Sequence, residues 1–249
     1  MQPQTRSLNI VRYLTFEVNK TCDMVTVHPQ CPIGHPERYK FGDTSQHLTA
    51  GSIFKFWRWA RASRNFRGII LWHSYNEPTL AISLIRECMK QIKSVDPYQP
   101  FHLFTNVPPN SRPDLIPEFD IITYSDYDPH SPDYSKRVGS KLDDRISNRT
   151  GEGKPYSAVK PTGWCGRGFG WELLIDYHGN WNLCCSDWRG EEAVGNILVD
   201  SDWSSMLARY EDKARNIRWH DEASYNALPR LCRACMDVTP NLHRSGQAL

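Results

Sequence analysis

The sequence predicts an α/β protein in which a parallel sheet wound with helices is followed by a small cysteine-rich module. Three observations carry this. Between residues 10 and 125, short branched and aromatic runs alternate with amphipathic stretches, the strand–helix–strand order that builds parallel crossovers. After about residue 125 the alternation stops. Beyond residue 160 stand five of the eight cysteines.

Strands are expected in IVRYLTFEV (10–18), GIILW (68–72), FHLFT (101–105) and DIITY (120–124), each short and bounded by polar residues. Between the first two, TAGSIFKFWRWARASRNF (49–66) sets Ile53, Trp57 and Ala60 on one helical face. Between the next two, TLAISLIRECMKQIK (79–93) sets Leu80, Leu84, Cys88 and Ile92 in a stripe spaced by four. Cys88, on that stripe, reads as a packed core thiol. In parallel sheets the chemistry gathers past the C-terminal strand ends. There the sequence places Cys22, then His73 to Glu77, then Asn106, then Ser125 with Asp126. Any one of these serves a cap or turn as readily as a function. Their convergence on one rim is the informative feature.

The 249 residues, 39% hydrophobic with nine tryptophans, suffice for one large domain or a core with an appendix. A formal net charge of +2 carries no electrostatic signature of nucleic-acid binding. The basic run RWARASRNFR (58–67) reads as a solvated helix face. No apolar stretch approaches the ~20 residues that cross a bilayer, and the first residues lack the apolar centre of a secretory signal. A cytoplasmic protein with no membrane partner is therefore expected. Thiols stay reduced there, which directs the cysteines to metal rather than to disulfides. Residues 126–155, polar and rich in proline and glycine, are expected to form a loop. That sets domains at 1–158 and 159–249, the second held by metal rather than by a large core.

Two cysteine groups carry the metal reading. TCDMVTVHPQC (21–31) puts Cys22, His28 and Cys31 just past the first strand, at a spacing outside the common zinc patterns. The C-terminal group runs Cys165, thirteen residues, Gly179, four residues, Cys184, and later CRAC with Cys232 and Cys235. A C-x2-C pair presents two sulfurs to one ion or cluster, so structural zinc and iron–sulfur both suit a four-thiolate set.

The wording around that set, CGRGFGWELLIDYHGNWNLCCSDWRGEEAVGNIL…LCRAC, resembles the SPASM or twitch extension of radical S-adenosylmethionine enzymes. The matching elements are Cys165, Gly179 to Cys184, Gly195-Asn196-Ile197 and Cys232/Cys235. The resemblance implies one auxiliary 4Fe–4S cluster on Cys165, Cys184, Cys232 and Cys235, with Cys185 left over. The N-terminal half is similar to the catalytic core of the same family. YLTFEVNKTC looks like its first strand and cluster-loop entry, and GIILWHSYNEPTL like its second strand with an altered Gly-Gly-Glu-Pro motif. FHLFTNV and FDIITYSDYD look like the third and fourth strands. A shortened partial (β/α) barrel of about five parallel strands is implied.

The departure lies in the cluster loop. The family pattern is C-x3-C-x2-C, whose second and third places are Thr26 and Pro29 here. Cys22-x5-His28-x2-Cys31 stands instead. Imidazole replaces thiolate on iron in Rieske centres, so these three residues holding a 4Fe–4S cluster with one open iron is one reading. Cys22 and Cys31 with His35 or His73 is a second, and loss of this cluster is a third.

What the resemblance implies is an enzyme that chelates S-adenosyl-L-methionine at an open iron. Ser74, Tyr75, Asn76 and Glu77 would meet its amino group, and Asn106, Ser125 and Asp126 its ribose or carboxylate. Reductive cleavage would then yield a radical that abstracts a substrate hydrogen, with electrons from a donor such as flavodoxin or ferredoxin. Only about nine residues precede the first strand, which leaves no added peptide-binding domain. A small molecule (sugar, aminocyclitol or nucleoside) is thereby favoured over a peptide substrate. Cys185 could replace Cys184 as a ligand, be buried or face the active site; if not a ligand, it would be the candidate catalytic hydrogen donor, as in sugar epimerases of the family. The alternative is a non-catalytic iron–sulfur or zinc paralogue acting as partner or electron carrier.

Overall fold

The computed structural model describes residues 11–23, 32–34, 45–107, 111–124, 163–164, 172–185 and 187–237. Strands β1 (Tyr13–Phe16), β2 (Ile69–Leu71), β3 (Phe101–Thr105) and β4 (Ile121–Tyr124) lie side by side, parallel and in chain order. Helices α1 (Ala50–Arg64) and α2 (Ile82–Lys93) make the first two crossovers, as the alternation predicts.

Helix α1 starts at a capping box, where the Thr49 side chain accepts from the Ser52 amide, and stops at Asn65 in the left-handed region (φ 49°). It buries Ile53, Phe56, Trp57 and Ala60. Helix α2 begins later than the sequence suggests, because Pro78–Ala81 form a 3-10 turn first. Its inner face is Ile85, Cys88, Met89 and Ile92, while Leu80 is 55% exposed. The stripe holds at Leu84, Cys88 and Ile92, which pack on the core, and is lost at Leu80, which belongs to the 3-10 turn ahead of the helix. Cys88 does sit in the core, and burial pushes its thiol up to about 12.

A two-stranded pair, β5 (Gly163–Trp164) with β8 (Arg218–Trp219), stands apart from the main sheet. The fifth parallel strand is β6 (Glu172–Ile175), paired with β1 from Tyr13↔Glu172 to Phe16↔Ile175, and β7 (Trp181–Asn182) folds back antiparallel on it. The sheet order is therefore β4-β3-β2-β1-β6-β7. In a closed eight-stranded barrel the strand beside the first is the last; β6 takes that place here, on an incomplete barrel.

Helices α3 (Trp203–Asn216), α4 (Glu222–Asn226) and α5 (Arg230–Asp237) complete the described chain. The C-terminal half has more regular structure and more core than its sequence suggests. Trp203, Met206, Leu207, Tyr210 and Ala214 are all buried on α3, at the spacing of one helical face. They join a single hydrophobic cluster with β1, α1 and β6. Phe56 is its hub, edge-on to Phe16, Trp181 and Trp203 with centroids 6.2, 5.5 and 5.3 Å away. Each such pair contributes about 0.5–1.5 kcal/mol beyond its buried area. Aromatic packing thus holds β6, β7 and α3 to the sheet.

The side chains alternate across the strands. Leu14, Phe16, Ile70, Phe101 and Leu103 enter the core with the helices. The opposite face mixes apolar side chains, among them Ile69, Leu71, Phe104 and Leu174, with a few polar ones: the Thr15 hydroxyl donates to Glu172 (2.5 Å), and the His102 ring meets the Thr123 hydroxyl (2.8 Å).

Candidate functional site

Glu77 organises the C-terminal rim of the sheet. It is 2% exposed, caps the Pro78–Ala81 turn, and its carboxylate accepts four hydrogen bonds. Oε1 receives the Thr79 amide (2.9 Å), the Thr79 hydroxyl (2.6 Å) and the Thr105 hydroxyl (2.8 Å); Oε2 receives the Asn106 amide (2.8 Å). That is about as many as an ionised carboxylate has lone-pair directions. The Glu77 amide donates to the Thr21 carbonyl (2.9 Å), and the Asn19 side chain donates to the Glu77 carbonyl (2.9 Å). One residue after β2 thus clasps the end of β3 and the loop leaving β1.

That loop carries Cys22, which is half-buried. The Asn106 amide nitrogen donates to Asp23 (2.9 Å) and lies 3.9 Å from the Cys22 sulfur. Asn106 is 7% exposed, and its Oδ1 is buried with no hydrogen-bond partner among the described residues. A buried orphan acceptor of this kind costs roughly 1–3 kcal/mol unless something donates to it.

The loop between β2 and Glu77 is folded on itself. Asn76 accepts from the Ser74 amide (3.1 Å) and donates to the Trp72 carbonyl (3.5 Å). His73 Nδ1 contacts the Asn76 carbonyl (3.0 Å). A carbonyl only accepts, so Nδ1 carries the proton, the pattern by which proteins orient ligating imidazoles. The Tyr75 amide donates to Glu17 Oε1 (3.1 Å), and the Tyr75 hydroxyl donates to the Cys185 carbonyl. This last bond ties the Cys184–Cys185 segment to the rim.

The same segment is shaped by Asp187, whose amide donates to the Cys184 carbonyl (3.0 Å) and whose carboxylate accepts from the Leu183 and Glu192 amides. Burial pushes its carboxyl up to about 7. The turn before β7 needs glycine at 179, where φ is +86° and a Cβ would meet Leu198 at 2.6 Å. Asn196 staples that turn through the His178 carbonyl (2.8 Å) and Asn180 Oδ1 (3.0 Å). The Gly179 and Gly195-Asn196-Ile197 elements of the sequence are therefore one structural device.

Of the residues predicted to act, the structure joins Cys22, Glu77 and Asn106 by hydrogen bonds, and links Tyr75 to Cys185. Ser74 and Asn76 lie in the same turn. Cys184 is half-buried and Cys232 is buried in the core cluster. CRAC falls within α5 rather than in a tight turn, and its two cysteine positions, three apart, stand on one side of that helix. His28, Cys31, His35, Ser125, Asp126, Cys165 and the expected loop 126–155 lie outside the described residues, as does the side chain of Cys235. Among the described residues no three His, Cys, Asp or Glu side chains gather as a metal site.

Sequence reasoning missed Glu17, which is 1% exposed directly after β1. Its signal was a carboxylate set between Phe16 and Val18, both buried. It also missed Asp23 and Thr105, which complete the network. Among the described residues no helix is long and apolar enough to cross a membrane.

No protein-family profile matches the sequence, and no curated protein matches it. Solved structures do. A crystal structure of BtrN in complex with AdoMet and 2-DOIA superposes with a TM-score of 0.59 at 17% identity, covering 90% of this chain and 92% of that one. A selenomethionine form of BtrN in an open conformation gives 0.54 at 16% identity, covering 91% and 92%. The chain shares the fold of these proteins along almost its whole length.

Proposed function

We propose that this chain is a radical S-adenosylmethionine enzyme that tailors a small hydroxylated molecule. The observation that carries the reading is the clasped rim. Segments following β1, β2 and β3 meet there around a half-buried thiol and an orphan acceptor, on a fold shared with a structure that holds AdoMet. The resemblance of the two cysteine groups supports the same conclusion.

The half-buried Cys22 thiol beside the orphan acceptor of Asn106 supports such a cofactor at the rim. Cys22, with His28 and Cys31, would hold the first 4Fe–4S cluster; Cys165, Cys184, Cys232 and Cys235 would hold the auxiliary one. Held there, such a cluster would provide the one-electron reduction of the sulfonium that generates a hydrogen-abstracting radical. The chain's own groups do the positioning. With its NH₂ directed at Asp23 and the Cys22 sulfur, Asn106 offers its Oδ1 as an acceptor. It therefore meets a donor, a ribose hydroxyl or the amino group, rather than the carboxylate. Glu77 acts chiefly as the clasp that sets Asn106 and the Cys22 loop. The Ser74–Asn76 turn, with Ser125 and Asp126, would complete the cofactor contacts.

For the substrate, the polar pairs Thr15–Glu172 and His102–Thr123, set among apolar side chains on the sheet face away from the helices, support a small hydroxylated compound such as a sugar, aminocyclitol or nucleoside. The BtrN complex with 2-DOIA supports a small molecule over a peptide. Cys185, brought to the rim by Tyr75, is the candidate hydrogen donor, and a flavodoxin- or ferredoxin-type donor in the cytoplasm would supply electrons.

The test is anaerobic reconstitution. About eight irons per chain, given two four-iron clusters, and 5′-deoxyadenosine under dithionite are expected. The Cys185→Ala variant should keep its iron and lose turnover; loss of iron would make Cys185 a ligand instead. About four irons without cleavage would sink the catalytic reading and leave an iron–sulfur partner protein; zinc in place of iron would sink both.

A further inference from the structure

Glu17 stands directly after β1. The alternation that packs Phe16 and Val18 into the helix-covered core turns its side chain to the other face, where it is 1% exposed. Its backbone amide donates to the Ile175 carbonyl at the end of β6 (2.9 Å), and its Oε1 accepts from the Tyr75 amide in the loop after β2 (3.1 Å). Tyr75 is buried, and its hydroxyl donates to the Cys185 carbonyl. The contacts close a ring: Ile175 to Glu17, Glu17 to Tyr75, Tyr75 to Cys185, and back along the β6–β7 hairpin to Ile175.

The bland explanation is that Glu17 merely satisfies a buried amide. A neutral acceptor would serve that purpose with less desolvation than a buried carboxyl group. The amide in question, moreover, belongs to the residue whose hydroxyl reaches Cys185. A segment tied at one end swings about it; Cys185 is tied covalently through β7 and again across the rim through Tyr75.

We propose that Glu17 is a positioning residue for hydrogen return: through Tyr75 it sets the backbone of Cys185, the candidate hydrogen donor, against the rim. This role rests on the proposed S-adenosylmethionine chemistry. In deuterated water the Cys185 thiol becomes S–D. With no substrate present, the radical made from S-adenosylmethionine breaks that S–D bond and forms a C–D bond at C5′ of 5′-deoxyadenosine. The thiyl left behind takes an electron from dithionite and a deuteron from the solvent.

Mass spectrometry of the 5′-deoxyadenosine made by the anaerobically reconstituted protein in deuterated water, with dithionite and no substrate, tests it. Monodeuterated product is expected from the parent and undeuterated product from Cys185→Ala. Glu17→Ala and Tyr75→Phe should each lower the deuterated share about fivefold, the worth of one hydrogen bond. The double variant should go no lower, because both changes cut one path. Glu17→Gln keeps an acceptor for the Tyr75 amide and should restore the parent share. A second readout needs no turnover: without S-adenosylmethionine, amide exchange over residues 183–187 should quicken in Glu17→Ala and Tyr75→Phe but not in Glu17→Gln. A deuterated share or a segment exchange indifferent to Glu17→Ala would overturn this role alone. So would multiplying effects in the double variant, or deuterium persisting in Cys185→Ala. Absence of 5′-deoxyadenosine from the parent would overturn the S-adenosylmethionine reading and this role with it.

Discussion

Replacing Glu77 by alanine removes the acceptor for four donors at once. Two are hydroxyls, of Thr79 and Thr105, which can rotate towards other acceptors. Two are backbone amides, of Thr79 and Asn106, which cannot. A buried, stranded amide costs about 1–3 kcal/mol, so Glu77→Ala should lower stability by roughly 2–6 kcal/mol. Against the ~5–15 kcal/mol of a typical domain, that is a large fraction. Equilibrium urea unfolding under anaerobic, reducing conditions reads it as a lowered midpoint with an unchanged slope. Glu77→Gln keeps the shape and one accepting oxygen but turns an NH₂ towards a donor, so it should fall between parent and alanine variant. A Glu77→Ala protein within about 1 kcal/mol of the parent that no longer binds S-adenosylmethionine would refute the clasp. Glu77 would then be a cofactor contact, as its motif alone suggests.

Four further outcomes are expected. Cys88, its thiol held up to about 12 by burial, should resist iodoacetamide at pH 8 in the native protein and react in urea; native labelling at the rate of an exposed thiol would contradict its packing. His102 is held below its usual range by burial. As pH falls through about 6.5 the unfolded chain takes up this proton first, so stability drops with acidity; a His102 resonance titrating at or above that value would show the sign to be wrong. Gly179→Ala should lower the melting temperature, because φ +86° and the 2.6 Å approach to Leu198 are both costly; an unchanged melt would mean the turn relaxes freely. Tyr75→Phe frees the Cys185 carbonyl and should speed proteolysis near residues 184–185, which equal cleavage rates would exclude.

The N-terminal half was legible because its signals are local. Strand runs and the helix faces of Ile53, Trp57 and Ala60 repeat at the period of their own element, and parallel crossovers follow from their order. The rim was legible as a list of residues but not as a network. Nothing local distinguishes Glu77 as a ligand contact from Glu77 as a clasp, because its partners Thr105 and Asn106 lie 28 and 29 residues away. The least legible element was β6. Its pairing with β1 depends on a partner 157 residues distant, as the Thr15–Glu172 bond measures, and ELLI alone carries no mark of which strand it will join. Helix α3 was a different kind of miss. Trp203, Met206, Leu207 and Tyr210 announce it, but neighbouring cysteines draw the eye to metal instead.

The placement of β6 beside the first strand bears on how the molecule is made. While synthesis proceeds, the outer hydrogen-bonding edge of β1 stays without its neighbour until residue 175 has left the ribosome. Exposed edges template aggregation, and contacts of such long sequence separation form late. A fragment ending near residue 158 should therefore be insoluble rather than a working half, and a slow step in refolding should track the arrival of the β6–β7 hairpin.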